Sequence, residues 1–515
     1  MGFVAVVHAP RPPVGDLVAL ELTALDCRLP LASQATAQAE LTLGALARRL
    51  VQAGPGGRGH AILSLLPRRG YDGTDTLGQL WPPVHLEFDQ VLRVPPDGVA
   101  LVGWFVDPGA AVAALRVRGA GATIELKPAT WVQVKRPDVL EALAPRYGLE
   151  QDTLGFVAYA PGLAKVGTEL YVEIETWQGE IAYKPVRPVE LFGLGVIKQL
   201  LAVPRQPRAR LAAAFDSVLG PVIEGLNRAR LARPPSVAAL TFGPPLPAPE
   251  SSVVVPLHGR VDFMEYQLAL FAEQPDPHCE LIYVLDDPGL QDEAERLAES
   301  CWARFRLPFQ LLMPEANLGF APATNLGIDA ARGTYVCLLN SDVFPIGPTG
   351  LAWVAKLVRR LAEDPTLGAV GPLLLYEDDT VQHAGMHYEQ VAGLSDWAFL
   401  IHTGKGAPAP PAEGLREAPA ITGACMVLRR ADLQTLGGLD QGYLIGDFED
   451  SDLCLQLRAR GQRCAVDTDL RLYHLERQSQ GPASSWRMNA TLVNAWRHQR
   501  RWHASGLLSD MGADR

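Results

Sequence analysis

The chain has 515 residues, 48% hydrophobic and 20% charged, which exceeds one ordinary core and leads us to expect two or three globular domains. A net charge of −11 argues against a generic nucleic-acid binder but not against nucleoside diphosphates, whose charge a metal can offset. Seven cysteines with no C-x-x-C pair read as reduced, buried thiols; with no leader-like start and no apolar run of membrane length, they point to a cytoplasmic address.

Residues 1–75 offer a strand-like run at 17–22, a helix-like Ala/Leu stretch at 35–53 and a flexible break, GPGGRG, at 54–59. No recognisable chemistry falls there. Across 76–186 the texture changes to short strand-like runs at 84–94, 99–106, 115–117, 123–126, 156–159, 170–175 and 180–184. Turn signals at 95–98, 107–109 and 177–179 separate them, which predicts a β-sandwich-like domain. Trp81, Trp104, Trp131 and Trp177 either fill its core and edges or form a carbohydrate-stacking platform. A helical connector follows over 187–250, with helices at 189–201 and 207–231 and a Pro-rich linker, FGPPLPAPE, at 242–250.

From residue 251 strands and helices alternate. Apolar runs at 253–255, 281–285, 309–313 and 335–339 are separated by helical patterns at 262–272, 291–303 and 321–331. Runs without alternation belong to strands buried on both faces, so the succession predicts an α/β, doubly wound parallel sheet. Ligands of such sheets collect at the carboxyl ends of strands. There the sequence places Asp286-Asp287 after the second run and Asn340-Ser341-Asp342 after the fourth. Asp286 or Asp287 suits a base edge or ribose hydroxyl, and the oxygen-rich Asn340–Asp342 cluster suits a hard divalent cation. Asn317-Leu318-Gly319-Phe320, followed by Asn325, gives a close backbone approach and a helix N-terminus that favours phosphate. Further on, four acids crowd the six residues 447–452, more than helix capping needs, and a base among carboxylates has a raised pKa. His474 follows a strand-like 470–473; imidazole there is either structural or a metal ligand.

Several stretches carry a resemblance: VVVPLHG (253–259), ELIYVLDD (280–287), NLGFAPATNLGIDAARGTYVCLLNSD (317–342), QHAGM (382–386), ITGACMVLRR (421–430), GGLDQGYLIGDFEDSDLCLQLRARG (437–461) and LYH (472–474). In order and spacing, residues 251–480 resemble a family 2 glycosyltransferase of the GT-A fold, closest to bacterial rhamnosyltransferase-like enzymes of polysaccharide synthesis. The resemblance implies that Pro256, Leu257 and His258 line the nucleotide pocket, that Asp286 or Asp287 binds the base, and that Asn317, Gly319, Phe320 and Asn325 border nucleotide and sugar. Asp342 would take the last position of the D-x-D motif, with Asn340 in the first and Ser341 between. Asp342 and His474 would ligate Mn²⁺ or Mg²⁺ on the donor diphosphate. Asp450 would be the general base of an inverting displacement, Glu449 would orient the acceptor, and Gly423 and Ala424 would lie on the acceptor side. The implied partners are a nucleoside diphosphate sugar and a glycan or lipid-linked glycan acceptor, with no nucleic acid.

LHGRVDF lacks the usual Asn after the first strand, and Asp286-Asp287-Pro288-Gly289 replaces the common D-N-G-S or D-D-G-S, which leaves donor sugar and base open. One alternative is a non-catalytic glycan or sugar-nucleotide binding protein with a degenerate transferase domain; keeping Asp342, Asp450 and His474 favours the enzyme. A nucleotidyltransferase would need a better Gly-rich, basic loop than PLHGRVDF. The basic tail, 481–515, has a helical 485–503 with three tryptophans. It either packs on the transferase domain or touches the inner face of a membrane as a peripheral contact.

Overall fold

In the computed structural model, residues 70–508 are described except 120, 164–168, 192, 205, 392–393, 395–396 and 477–484, together with the paired strands Ala19–Leu22 and Cys27–Pro30. The helix-like 35–53 and the break at 54–59 lie outside the described residues. The chain divides into two compact units, one mainly within 1–189 and one mainly within 190–515.

The first unit is β-rich. One sheet runs in the order Ile181–Val186, Leu170–Thr176, Val112–Gly119, Ala122–Glu125, each pair antiparallel. A second holds His85–Val94, Gly98–Val106 and Gly155–Ala160 side by side. Leu170, Val172 and Ile174 are buried and Tyr171 and Glu175 half-buried, an alternation broken only by Glu173, which is buried in ion pairs with Arg116 and Arg118. Of the four tryptophans, Trp81 and Trp177 are 50% and 75% exposed, whereas Trp131, which falls to the second unit, is 6% exposed.

The second unit begins with helices α1 (Leu194–Leu201), α2 (Arg208–Ala214) and α3 (Gly220–Leu231) and strand β1 (Val237–Phe242). Strands β2 (Ser251–Leu257), β3 (Cys279–Leu285), β4 (Phe309–Pro314) and β5 (Tyr335–Leu339) follow, joined by helices α4 (Asp262–Glu273), α5 (Gln291–Phe305) and α6 (Phe320–Ala330). Then come β6 (Val343–Pro345), α7 (Ala352–Glu363), β7 (Leu367–Leu375), β8 (Cys425–Arg429), α8 (Arg430–Leu436), α9 (Glu449–Arg458), β9 (Arg463–His474) and α10 (Ser485–Trp502).

The sheet order is β1-β4-β3-β2-β5-β8-β7-β9-β6. The four strands β2 to β5 are parallel, as their unalternated sequences predict. The whole sheet is mixed, because β1, β6 and β8 run antiparallel to their neighbours. Each central strand feeds two cores. Val253, Val255, Cys337 and Leu339 pack with Met264, Leu268, Phe271, Val354 and Leu357 on one face. Val254, Val336 and Leu338 pack with Ala321, Ala323, Ile328, Leu453 and Leu457 on the other. Helices therefore cover both faces, which is why no polar alternation marks these strands. Six cysteines among the described residues are free and buried. Among those residues no helix is long and apolar enough to cross a membrane. Helix α10 spends its apolar side on packing, with Leu492, Val493, Ala495 and Trp496 all at most 2% exposed.

Candidate active site

Strands β2, β3 and β5 point the same way, and β9 runs parallel to β7 beyond the antiparallel β8. Their carboxyl ends thus share one edge of the sheet, and there the chain places His258, Asp286-Asp287, Asn340–Asp342 and His474. Val343 pairs with His474 across the β6–β9 ladder, and Leu475 N donates to Asp342 O at 3.1 Å. This register sets His474 Nε2 3.4 Å from Asp342 Oδ1, both side chains nearly buried.

The imidazole is held from behind. Its Nδ1–H donates to Gln382 Oε1 at 2.9 Å, so in the neutral ring the lone pair sits on Nε2, facing Asp342. Gln382 is fixed in turn because its Nε2 donates to Glu476 at 3.3 Å. Burial would raise Glu476, but hydrogen bonds from Lys405, Tyr376 and Gln382 outweigh it and hold the carboxyl at about 2. An aspartate oxygen and an imidazole nitrogen, oriented by outer partners, form a donor set suited to a divalent cation. Gln267 Nε2 donates to Asn340 O and Val343 O at 3.0 and 3.1 Å, fixing the turn that presents Asp342.

A second set of contacts ties this turn to the acidic helix start. Asn340 N donates to Ala424 O at 2.8 Å, Thr422 N to His383 Nε2 at 3.3 Å, and Gly423 N to Asp450 Oδ2 at 3.0 Å. Burial and neighbouring His402 push His383 well below its ordinary pKa, which keeps the ring neutral and Nε2 an acceptor. Asp450 also accepts Ser451 N at 2.7 Å. Burial raises its pKa, opposed by those two backbone bonds. Glu449 is 6% exposed, with Oε2 lacking a hydrogen-bond partner. Burial, then the charges of Asp450 and Asp447, raise it further. Helix α9 starts at Glu449.

Around the nucleotide-side residues, Asp286 Oδ1 and Oδ2 accept Leu318 N and Gly319 N at 2.5 and 2.8 Å. Its carboxylate thus shapes the 317–319 loop. Asp286 O accepts Asn317 Nδ2 at 2.8 Å and lies 3.0 Å from His258 Nδ1. Asp287, more exposed, accepts Gly259 N and Gly289 N. Gly319 takes φ 89° before α6, the left-handed region that favours glycine. Phe320 N donates to Ile445 O at 3.0 Å, joining this loop to the acidic one. Leu257 and Ala424 are buried, so they bound the site through backbone. Asn325 is spent elsewhere: its amide exchanges two 2.9 Å bonds with the backbone of Leu439. Pro256 and Ser341 stay partly exposed at the strand ends.

The sequence patterns did not single out Gln267, Gln382, His383 and Glu476. Arg230 was also missed; it donates to Asn317 O at 3.3 Å and to Asn227 Oδ1 at 2.8 Å. QHAGM contains two of them, but nothing in its residue types marks a supporting role.

With this geometry in hand, comparison with known proteins is decisive for the domain. The family model "Glycosyl transferase family 2" matches residues 252–437. Residues 252–437 form a glycosyl transferase family 2 domain. Over 237 residues the chain is 30% identical to the O-antigen biosynthesis protein RfbC of Myxococcus xanthus, covering 45% of this chain and 18% of that protein. Over 173 residues it is 34% identical to the protein y4gI of Sinorhizobium fredii, covering 33% of this chain and 18% of that one. A putative polypeptide N-acetylgalactosaminyltransferase 13 of Drosophila melanogaster is 26% identical over 247 residues, covering 45% and 43%. The chain thus spans less than a fifth of the first two relatives. Among solved structures, the mannosyltransferase PcManGT of Pyrobaculum calidifontis with GDP-Man and Mn²⁺ superposes with TM-score 0.33 and 18% identity over 62% of this chain and 84% of that one. GalNAc-T7 with UDP, GalNAc and Mn²⁺ gives 0.34 and 16%, covering 48% of each chain.

Proposed function

We propose that the family 2 domain is an inverting glycosyltransferase, moving a sugar from a nucleoside diphosphate donor to a hydroxyl of a glycan or glycoconjugate. The observation that carries this reading is the turn 422–424, which hydrogen-bonds on one side to the Asn340–Asp342 strand end and on the other to Asp450. Metal-ligand chemistry and a candidate base are thereby fixed in one frame. Asp342 and His474 would hold Mn²⁺ or Mg²⁺, which supplies charge neutralisation for the departing diphosphate. Among the described residues no cluster of three or more His, Cys, Asp or Glu is poised for a metal. Two protein donors would leave the other positions of such a cation open.

Asp450 accepts the acceptor proton as the oxygen attacks the anomeric carbon. Burial raises its pKa above that of an ordinary aspartate, which strengthens it as a base. Attack opposite the leaving diphosphate inverts the anomeric centre. Glu449, buried beside it, orients the acceptor. Exposed His258 and half-buried Asp287 are available to the nucleotide, since the Asp286 carboxylate is occupied by backbone. The similarity to an O-antigen biosynthesis protein supports a role in building a polysaccharide.

The test is a thermal-shift panel of UDP, dTDP, GDP and CDP with and without Mn²⁺, on wild type and Asp342→Ala. One diphosphate should stabilise the wild type, and only with both Mn²⁺ and Asp342 present. No shift with any of the four would favour a degenerate, binding-only domain.

A further inference from the structure

Asp450 and Glu449 follow a loop that the polypeptide does not adopt unaided. Ile445, Asp447 and Phe448 have φ of 67°, 95° and 77°. Such values are held for residues other than glycine only where the surroundings impose them, and β-branched Ile445 tolerates them least. Phe448 immediately precedes α9, so its backbone sets the direction of the first turn and of both carboxylates.

The imposing group comes from the last helix. Asn494 is 0% exposed. Its Oδ1 accepts Leu444 N at 2.8 Å, and its Nδ2 donates to Leu444 O, Gly446 O and Asp447 O at 3.0, 3.3 and 3.1 Å. These carbonyls precede the helix and its ladder, and burial keeps water from replacing the amide. Thr491, one turn earlier on α10, donates to Asp447 Oδ2 at 2.8 Å. The helix is itself anchored away from the loop: Asn489 Nδ2 donates to Leu201 O and Val203 O, and Trp496 Nε1 to Asp216.

We propose that Asn494 is a positioning residue for the Glu449–Asp450 pair, so that α10, outside the segment matched by the family model, completes the active site. The inference rests on the transferase reading for its kinetic consequence but not for its structural one. Asn489 supplies the control, being the same residue type on the same helix, also buried, with its bonds directed at α1 rather than at the loop.

The experiment uses full-length wild type, Asn494→Ala and Asn489→Ala. Amide hydrogen exchange is followed over 444–452, and kcat and donor KM are read as diphosphate release from UDP-, dTDP- and GDP-sugars with Mn²⁺. Asn494→Ala should speed exchange over 444–452 and lower kcat about 10²-fold with donor KM nearly unchanged. Asn489→Ala should leave both close to wild type at a similar loss of Tm. Equal exchange over 444–452 in the two variants, or equal losses of kcat, overturns the proposal. Asn494→Ser replaces the alanine variant if that does not fold. If wild type turns over no sugar nucleotide, the transferase reading fails, and the exchange comparison alone decides the positioning role.

Discussion

Glu449 and Asp450 are adjacent in sequence but not in environment. Both oxygens of Asp450 accept backbone N–H groups, whereas Glu449 keeps one buried oxygen without a partner. Burial with nearby Asp450 and Asp447 raises Glu449 from 4.5 to about 8. A folded pKa above the unfolded one means that the folded state binds the proton more tightly. The associated stability is present below the unfolded pKa and is lost as pH rises through the folded one. Glu449→Gln should therefore gain Tm relative to wild type between about pH 5 and pH 9, with the gain growing across that window. A difference in Tm that is flat with pH would refute the assignment. At the proposed metal pair, Gln382→Ala releases His474 Nδ1–H and should weaken Mn²⁺-dependent diphosphate binding roughly 10–100-fold without abolishing it, as read by Mn²⁺ titration. Binding unchanged by this substitution would show that the tautomer is set otherwise.

At the scale of elements, the close approach of α6 to the sheet sets the position of the 317–319 loop at its start. A Cβ on Gly327 would lie 2.3 Å from Val254 Cγ1 and 3.1 Å from Val284 Cγ2. Gly327→Ala should cost about 1–3 kcal/mol by forcing the helix off β2 and β3, measurable by urea denaturation; a neutral result would mean that the helix shifts freely. Strands β2, β3 and β5 were legible because burial on both faces removes alternation, and their acidic ends were legible because open α/β sheets place ligands there. Strand β1 was not, since Val237–Phe242 is an edge strand in a Pro-rich neighbourhood and its pairing with β4 is a tertiary fact. The extent of β9 was underestimated for a similar reason: it begins seven residues before 470, and the pairing of Arg463–Asp467 with β7 is a tertiary fact. The metal and base candidates carry their chemistry in their residue types. Their supports do not: Gln382, His383 and Asn494 are ordinary polar residues until the fold directs them at a particular atom.

At the scale of the whole molecule, the two compact units differ in what they contain. Every candidate residue for metal, base or nucleotide lies in the second, between Pro256 and His474. A ligand that binds one folded unit stabilises that unit by mass action and leaves the other unmoved unless the two unfold together. Calorimetry of the intact chain should then show two transitions. Mn²⁺ with the matching nucleoside diphosphate should raise one of them by several degrees, and Asp342→Ala should cancel that rise without moving the other. The shifted transition should also be the one that Gly327→Ala lowers, since that substitution acts within the same cores. A single transition that moves as a whole with ligand would mean that the β-rich unit unfolds with the transferase domain, and its contribution would then have to be sought in the energetics of the site.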